Sequence, residues 1–261
     1  ANAFKQIYVD AVATKVDAYT VFTNLPAAGA MRAYGIPQVS FAIESSVEDM
    51  ATALGMDSVV LRQMNMMPVG YVDSFSKNCN YFDSLNQCIA KGKAYMDYDR
   101  LHAEYANQTG PIRRGVGMAI FWYNTAVWPI SLEASSCRMV MNQDGSVQLH
   151  IAETEIGQGA DTVFAQMVAD TVGIPFEKVH VVSTQDTDTT PFGTSAYASR
   201  QTYVAGFAIH NIGTQLKNKL LNYASYLTSK PAETIDIVDG RVIDKASGDL
   251  LMNIDELATT A

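Results

Sequence analysis

A chain of 261 residues, of which 48% are hydrophobic and 17% charged, is long enough to bury one large core or two smaller ones. Its net charge is −9, and no run of lysine and arginine is interleaved with aromatic residues, so a nucleic-acid surface is not predicted. No apolar stretch approaches the roughly 18 residues that a bilayer-spanning helix needs, so no membrane segment is predicted.

The cysteines and histidines show no metal-binding pattern. There are three cysteines, and their spacings match no metal motif, which indicates a reduced, cytoplasmic protein. The four histidines lack HxxxH or HExxH spacing and are interpreted as structural or surface residues. The residues concerned are Cys79, Cys88, Cys137, His102, His150, His180 and His210.

The first part of the chain has the patterns of loops and helices. Residues 20–37 are small and bounded by proline, which predicts a loop. A helix follows, with Gly55 at its C-cap, and Asp57 is placed to cap a second, short helix. Residues 68–84 are irregular, and helical character returns over about 85–107. The apolar face predicted for the first helix consists of Phe41, Val47, Met50, Ala51 and Leu54.

Beyond Gly110 the pattern changes to strands that alternate with helices. The predicted strands are 116–123, 137–142, 147–152 and 178–184, and the predicted helices run from Asp161 to Gly173 and from about Arg200 to Leu227. Asp144–Gly145 and Asp239–Gly240 are typical hairpin turns. This alternation predicts a mixed α+β fold with layered packing and a domain boundary near residue 110.

Three loops carry small residues that would let a ligand reach the backbone: GAMRAYG at 29–35 (loop one), EIGQG at 155–159 (loop two) and GTSAYASRQ at 193–201 (loop three). Loops two and three precede predicted helices, whose N–H groups and positive dipole ends favour an anion such as phosphate. The sequence contains neither GxxxxGK[ST] nor GxGxxG. The further polar candidates are Thr194, Ser195, Ser199, Thr202, Arg32 and Arg200.

Each loop taken alone has a simpler explanation. A short GxG elbow is typical of a plain turn, and a Ser/Thr-rich loop before a helix is typical of capping. A lone arginine such as Arg32 is more often part of a surface or structural ion pair.

Together the three loops resemble those of the molybdenum hydroxylases, the xanthine dehydrogenase/aldehyde oxidase family. GAMRAYGIPQ resembles the family's AFRGFGxPQ loop, DGSVQLHIAETEIGQGADT resembles DGSV…TEMGQG, and TPFGTSAYASRQ resembles SxxAAS/ASRQ. NMMPVGYVDSFSKN and RRGVGMAIFWYNTAVWPISLE are similar to stretches of bacterial xanthine dehydrogenase molybdenum-binding subunits. Order and spacing also match, and the resemblance covers nearly the whole chain.

The resemblance implies part of a molybdenum subunit. Residues 1–110 would form the C-terminal part of a first cofactor-binding domain, and residues 111–261 the N-terminal part of a second. The implied cofactor is molybdopterin, or molybdopterin cytosine dinucleotide, with molybdenum held by the pterin dithiolene and by no protein side chain. The implied cofactor-binding residues are Ala30, Met31, Arg32, Gly157, Gln158, Gly159, Ala196, Tyr197, Ala198, Ser199, Arg200 and Gln201.

Two of these residues carry specific roles in the resemblance. Gln158 would hydrogen-bond near the metal end of the cofactor, and Ala198 would be the small residue that lies against the metal. A heteroaromatic substrate would stack between Tyr34, where the family more often has phenylalanine, and the segment at Val127 and Trp128. The rings of Phe121 and Trp122 are interpreted as ordinary core.

The implied activity is hydroxylation of a purine, xanthine or hypoxanthine, with oxygen derived from water. Electrons would pass to iron–sulfur clusters and FAD on partner subunits or domains. One alternative keeps the cofactor and changes the substrate to nicotinate, another N-heterocycle or an aldehyde. Another is a non-catalytic interaction module that retains the fold.

Two features of the family are absent from this sequence: the GGGFGGK-type loop and the glutamate of a C-terminal GEP-type motif, which is the family's general base. Glu153 and Glu155 match no base position. The base is therefore expected beyond Ala261, and no catalytic residue is assigned in this chain. By itself the chain is expected to be inactive and to require the remainder of the molybdenum subunit together with iron–sulfur and FAD subunits.

Overall fold

The computed structural model describes residues 7–261 except 14, 30, 75–78, 124, 128–131 and 183–185. The chain divides into two compact units, residues 1–123 and 124–261. The sequence prediction placed a boundary near residue 110. Within the described residues, no helix is long and apolar enough to cross a membrane.

Four helices form the framework of the first unit: α1 (Ile36–Leu54), α2 (Ser58–Asn65), α3 (Ser84–Met96) and α4 (Tyr98–Tyr105). The end of α1 and the start of α2 are confirmed as predicted. Gly55 adopts a left-handed conformation with φ +64°, and its N–H donates to the carbonyls of α1's last turn. The Asp57 carboxylate accepts the N–H groups of Val59 and Val60, at 2.8 and 3.0 Å.

The buried face of α1 differs from the predicted one. Of the predicted apolar face only Ala51 is buried, whereas Phe41 and Leu54 are more than half exposed. The helix buries Glu44 instead, which the Arg62 guanidinium and the Tyr8 hydroxyl contact at 2.7 and 2.6 Å. A charged side chain is tolerated there because its oxygens are hydrogen-bonded. The core of this unit consists of Ile7, Val59, Met66, Ile89, Tyr98 and Ile120.

Two further predictions for this unit are wrong. Residues 116–123 form no strand; the Ile120 N–H donates to the Glu44 carboxylate at 3.0 Å rather than to a neighbouring strand. The helical character predicted over 85–107 is confirmed as two helices, which Asp97 separates with a left-handed conformation at φ +53°. Phe121, interpreted as core, is 60% exposed, while Trp122 packs against the core as expected.

The described residues of the second unit form two three-stranded sheets and three α-helices. Its elements are β1 (Cys137–Met141), β2 (Val147–Ile151), α5 (Ala160–Val172), β3 (Val179–Val182), α6 (Gly206–Thr228), β4 (Ile235–Val238), β5 (Arg241–Asp244), β6 (Leu250–Asn253) and α7 (Ile254–Thr260). In the first sheet β2 pairs antiparallel with β1 and parallel with β3. The second sheet, β4–β5–β6, is antiparallel throughout.

Both predicted hairpins, the helix between β2 and β3 and the strand predicted at 178–184 are confirmed; residues 183 and 184 of that strand lie outside the described residues. The predicted long helix begins differently: residues Gln201–Ala205 form a short π-helix that continues into α6. Strand β6 was not predicted. The core packs α5 and α6 against the first sheet, and Gly173 ends α5 with φ +89° at a point where an added Cβ would lie 2.0 Å from the Ile237 carbonyl oxygen.

This topology places two of the candidate loops together. Loop two follows the carboxyl end of β2, and loop three follows β3 along the chain. Because β2 and β3 are parallel, their carboxyl ends lie at the same edge of the sheet, which is where α/β folds commonly bind ligands.

Candidate functional site

The elbow of loop two is built from two left-handed glycines. Gly157 and Gly159 have φ of +93° and +84°, which L side chains rarely adopt. A Cβ added at either position would meet nothing within 4 Å, so packing does not exclude a side chain. The elbow therefore presents bare, exposed backbone on both sides of the exposed Gln158.

The N–H groups of this elbow already have an acceptor in the chain. One oxygen of the Glu155 carboxylate accepts the N–H groups of Gly157 and Gly159 at 2.6 and 3.1 Å, and the other accepts that of Asp161 at 3.1 Å. The bond from Asp161 is the main reason why the pKa of Glu155 is lowered. The prediction that the start of α5 offers these N–H groups to a phosphate is wrong, because Glu155 occupies them.

The Gln158 side chain joins loop two to loop three. Its amide oxygen accepts the Ile156 N–H at 2.7 Å, and its amide nitrogen donates to the Thr154 carbonyl at 3.1 Å and to Gln201 Oε1 at 2.6 Å. Gln201 donates in turn to the same Thr154 carbonyl at 3.1 Å. The two contacts that Gln201 makes fix loops that the sequence could only predict to lie close together.

Loop three has a strained backbone. Ser195, Ala198 and Ser199 all have positive φ, at +73°, +50° and +54°. Left-handed conformations cost energy for residues other than glycine and cluster at functional sites. The π-helix that begins at Gln201 is a second irregularity of this kind. The Ala198 carbonyl accepts the N–H of Ala126, in the segment before β1, at 2.7 Å.

Arg200 holds loop three from inside. Its side chain is fully buried, and its guanidinium donates to Glu133 at 2.7 Å and to Glu153 at 3.1 Å. It also donates to the carbonyls of Ser195 and Ala134, at 2.7 and 2.6 Å. Burial alone would lower the pKa of Arg200, but the two glutamates outweigh it and raise the pKa.

The prediction that the Arg200 side chain supplies charge to a ligand is therefore wrong. A fully buried guanidinium bound to two carboxylates has no face turned to solvent. The Arg200 side chain instead positions the loop around it, and the face of the Tyr197 ring lies 5.5 Å from the guanidinium carbon.

The segment before β1 is tied to the same network. The Val127 N–H donates to Glu133 Oε1 at 2.6 Å, while the other oxygen of Glu133 accepts from Arg200. Burial pushes the pKa of Glu133 up, but the hydrogen bonds from Arg200 and Val127 outweigh it and lower the pKa. Trp128 lies outside the described residues.

Sequence reasoning missed Glu133 and assigned no structural role to Glu153 or Glu155. Glu153 is fully buried between Arg200 and the Ser135 hydroxyl, which donates to it at 2.5 Å. A single arginine in a loop otherwise made of small residues was a usable signal, because burying it requires carboxylates nearby.

Loop one belongs to the first unit and shows comparable strain. Ala33, Tyr34 and Gly35 are consecutive left-handed residues, with φ of +74°, +53° and +87°. The Tyr34 N–H donates to the Met31 carbonyl at 2.7 Å. The side chains of Met31 and Tyr34 are 79% and 77% exposed, so both could contact a ligand. Arg32 is also exposed, and Ala30 lies outside the described residues.

No three His, Cys, Asp or Glu side chains are grouped as in a metal site in the part of the chain that the structure describes. The groups that these loops present to a ligand are backbone N–H and C=O groups, side-chain amides and aromatic rings.

Comparison with models of known protein families identifies the family of this chain. Residues 91–261 match the molybdopterin cofactor-binding domain, and residues 2–66 match a second domain of the same description. The chain belongs to the molybdopterin cofactor-binding family. Recognition from the three loops is confirmed, as is the assignment of a molybdopterin cofactor.

Relatives of this molybdopterin-binding chain are oxidoreductases. It is 44% identical over 243 residues to the xanthine dehydrogenase molybdenum-binding subunit of Escherichia coli O157:H7, covering 93% of this chain and 32% of that relative. The aldehyde oxidoreductase of Desulfovibrio desulfuricans shares 30% identity and a TM-score of 0.60, over 74% of this chain and 21% of that one.

The fold has a further counterpart in the structure of the Cu,Mo-CO dehydrogenase. The TM-score is 0.68 at 22% identity, over 87% of this chain and 31% of that one, which shows likeness of fold alone. The predicted fold class, mixed helix and sheet of the molybdopterin-binding type, is confirmed. The molybdopterin-binding chain spans about a third of the length of the E. coli relative.

The residues present fit a molybdopterin cofactor. Exposed backbone at Gly157 and Gly159, with open space where side chains would lie, allows a large ligand to approach closely. The exposed Gln158 side chain is held in place by Gln201, and its amide oxygen, which accepts one N–H within the chain, keeps a second lone pair in a fixed position for a ligand. Loop three, which Gln201 joins to Gln158, has strained backbone at Ser195, Ala198 and Ser199, in keeping with a ligand site.

Proposed function

We propose that this chain carries part of the cofactor and substrate site of a molybdenum hydroxylase that acts on a purine, xanthine or hypoxanthine. The observation that carries the proposal is the contact between Gln158 and Gln201 at 2.6 Å, which joins the two loops assigned to the cofactor. When bound, the molybdenum cofactor supplies transfer of water-derived oxygen and accepts two electrons. The 44% identity to a xanthine dehydrogenase subunit supports a purine substrate.

The proposed roles follow from what each side chain presents. Gln158 orients the cofactor through its side-chain amide. The backbone at Ala198, whose carbonyl accepts the Ala126 N–H, shapes the part of the site that faces the molybdenum end of the cofactor. The full set proposed to contact or position the cofactor is Ala30, Met31, Arg32, Gly157, Gln158, Gly159, Ala196, Tyr197, Ala198, Ser199, Arg200 and Gln201.

Tyr34, Val127 and Trp128 are proposed as substrate-binding residues. The 77% exposed Tyr34 ring supports this role, because an aromatic face in water gains by stacking on a heterocycle. The Val127 N–H is held by Glu133, so the backbone of this residue is fixed.

We assign residues 1–110 to the end of a first cofactor-binding domain and residues 111–261 to the start of a second. The general base, the iron–sulfur clusters and FAD are proposed to come from the remainder of the molybdenum subunit and from partner subunits. The chain alone is therefore proposed to be inactive. A cytoplasmic setting is also proposed, and the free thiols of Cys79, Cys88 and Cys137 support a reducing compartment.

A second candidate keeps the cofactor and takes an aldehyde or another N-heterocycle, nicotinate among them. The 30% identity to the aldehyde oxidoreductase of D. desulfuricans favours the aldehyde. Tyr34 serves either a purine or an aromatic aldehyde as a stacking surface.

The test uses the complete protein with its partner subunits. Molybdenum and pterin are measured in the wild type, in Gln158→Ala and in Gln166→Ala, an exposed glutamine on α5 that serves as the matched control. We expect Gln158→Ala to lose at least about tenfold in turnover or cofactor content, since it removes fixed hydrogen bonds. The control should retain both.

The substrate is then identified by measuring kcat/KM for xanthine, hypoxanthine, nicotinate and benzaldehyde. Highest kcat/KM for a purine supports the first candidate, and highest kcat/KM for benzaldehyde supports the second. Wild-type cofactor content and turnover in Gln158→Ala would remove Gln158 from the site.

A further inference from the structure

Two adjacent backbone N–H groups in the segment before β1 have fixed acceptors: one bonds to loop three directly, and the other bonds to a carboxylate that loop three holds. The Ala126 N–H donates to the Ala198 carbonyl at 2.7 Å. The Val127 N–H donates to Glu133 Oε1 at 2.6 Å. Ala126 adopts φ +71°, a conformation that alanine holds only when its surroundings impose it. The segment is therefore placed by loop three rather than by its own preference.

The carboxylate that holds Val127 is itself fixed. Its second oxygen accepts Arg200 Nε at 2.7 Å, and Glu133 is only 14% exposed. Arg200 cannot shift easily, because it is fully buried and also bound to Glu153 and to the Ser195 carbonyl. Charge-assisted bonds of this kind combine strength with direction. Glu133 thus transmits the position of loop three to Val127.

We propose that Glu133 is a positioning residue that sets the spacing between the substrate-binding residue Val127 and the cofactor side of the site at Ala198. This inference rests on the proposed function, in which Val127 lies on the substrate side and Ala198 on the cofactor side. A contact surface that is displaced by about 1 Å binds a flat ring less tightly, so the effect is expected mainly in KM. Glu133 touches neither the substrate nor the cofactor in this assignment.

The substitution Glu133→Gln separates position from packing. Glutamine has the same shape as glutamate but only one acceptor oxygen, and its NH2 group cannot accept from a second donor. It can satisfy the Val127 N–H or Arg200 Nε, but not both. The matched control is Glu177→Gln, which removes the same charge from an exposed residue of the same unit.

The experiment uses the complete enzyme with its partner subunits. We expect Glu133→Gln to retain wild-type molybdenum and to raise KM by about tenfold, with kcat changed less than about twofold. Hydrogen exchange of the Ala126 and Val127 amides, measured by mass spectrometry, should quicken by a similar factor. Glu177→Gln should match the wild type in all of these.

Wild-type KM and wild-type exchange of the Val127 amide in Glu133→Gln would overturn the inference. If that variant loses molybdenum, Glu133→Asp serves as the second variant, because it keeps the charge on a side chain too short to span both donors. Full molybdenum with wild-type KM in Glu133→Asp would then overturn the inference as well.

Failure of the proposed purine function gives a different result. In that case the wild type oxidises nicotinate or benzaldehyde rather than xanthine or hypoxanthine, and the KM ratio between Glu133→Gln and wild type is measured on that substrate. A raised ratio there supports the positioning role and rejects the purine. A wild type with full molybdenum that oxidises none of the panel overturns both.

Discussion

Each unit of this chain contains one fully buried arginine bound to two glutamates, and the two arginines stabilise different kinds of structure. Arg62, in α2, binds Glu44 and Glu48 of α1 at 2.7 and 2.8 Å, so it joins two helices that their own backbone bonds already define. Arg200 joins segments that have no repeating backbone structure. A buried ion pair therefore fixes helix packing in the first unit and loop geometry in the second.

The two networks also differ in what remains when the arginine is removed. Glu44 would still accept the Tyr8 hydroxyl and the Ile120 N–H, at 2.6 and 3.0 Å. Loop three would lose four hydrogen bonds at once, because Arg200 donates to two side chains and two carbonyls. The comparison predicts that function depends on Arg200 more than on Arg62.

The largest effect is expected for Arg200→Met. Removing one partner of a buried ion pair costs about 3–5 kcal/mol of unfolding free energy, and we expect Arg200→Met in this range. Arg62→Met should cost about 2–3 kcal/mol, because one of its partners, Glu48, is 47% exposed and can be hydrated, whereas both partners of Arg200 are buried or nearly so. Urea unfolding measures both. Molybdenum content should fall in Arg200→Met and persist in folded Arg62→Met; equal loss in both would break the distinction.

The next effect concerns the glycines that end α1 and α5. Both are left-handed, so alanine at either costs about 1–2 kcal/mol in backbone strain. At Gly55 an added Cβ meets nothing within 4 Å, whereas at Gly173 it lies 2.0 Å from the Ile237 carbonyl oxygen. Gly173→Ala should therefore cost about 2–3 kcal/mol more than Gly55→Ala. Similar unfolding midpoints for the two variants would contradict this.

A smaller effect is expected at the helix starts, where the two units should behave alike. Asp57 caps α2, and Asn253 forms a capping box with Glu256 at the start of α7. Replacing either Asp57 or Asn253 by alanine should cost about 1 kcal/mol, because a cap is a local interaction. Circular dichroism during thermal unfolding is the measurement. A cost above about 2 kcal/mol at one of them would show a role beyond capping.

The smallest effect is the response of each unit to pH. In the second unit the pKa of Glu133 is lowered, so its stabilising contribution is present above its unfolded pKa of about 4.5 and is lost as the pH falls through the folded value. In the first unit the pKa of Tyr8 is raised by burial and by Glu44, so its contribution is present below about 10 and lost as the pH rises further.

Hydrogen exchange resolved by peptide can separate the two responses. The peptides around Glu133 should open as the pH falls, and those around Tyr8 as the pH rises well above 10. In Glu133→Gln the acid response should weaken, while the alkaline response at Tyr8 should stay unchanged. Opening of the Tyr8 peptides in acid together with those of Glu133 would contradict the assignment of these groups.

Local signals explain how much of the fold the sequence predicted. Gly55, Asp57 and the Asp144–Gly145 turn act through their own neighbours, and the structure has each where expected. The failures are non-local. The alternation over 116–123 indicated a strand, but Ile120 satisfies its N–H with a distant glutamate, which no window of sequence reveals.

The candidate site likewise combines features that the sequence predicted with features that it did not. The motifs of the three loops were enough to predict family and cofactor, and the spacing around Gln158 pointed to exposed backbone. What the sequence could not predict is which charges neutralise each other. Glu155 takes the N–H groups that a ligand was expected to use, and Arg200 turns inward to Glu133 and Glu153.

The amide pair of Gln158 and Gln201 differs in kind from these charged contacts. Neither side chain titrates and neither carries net charge, so acid, alkali and salt leave the donor and acceptor pattern unchanged. Loops whose interior depends on ion pairs are thus joined at their surface by a neutral contact. If a ligand with several negative charges binds there, as proposed, its arrival and departure would leave the strength of the Gln158–Gln201 contact unchanged.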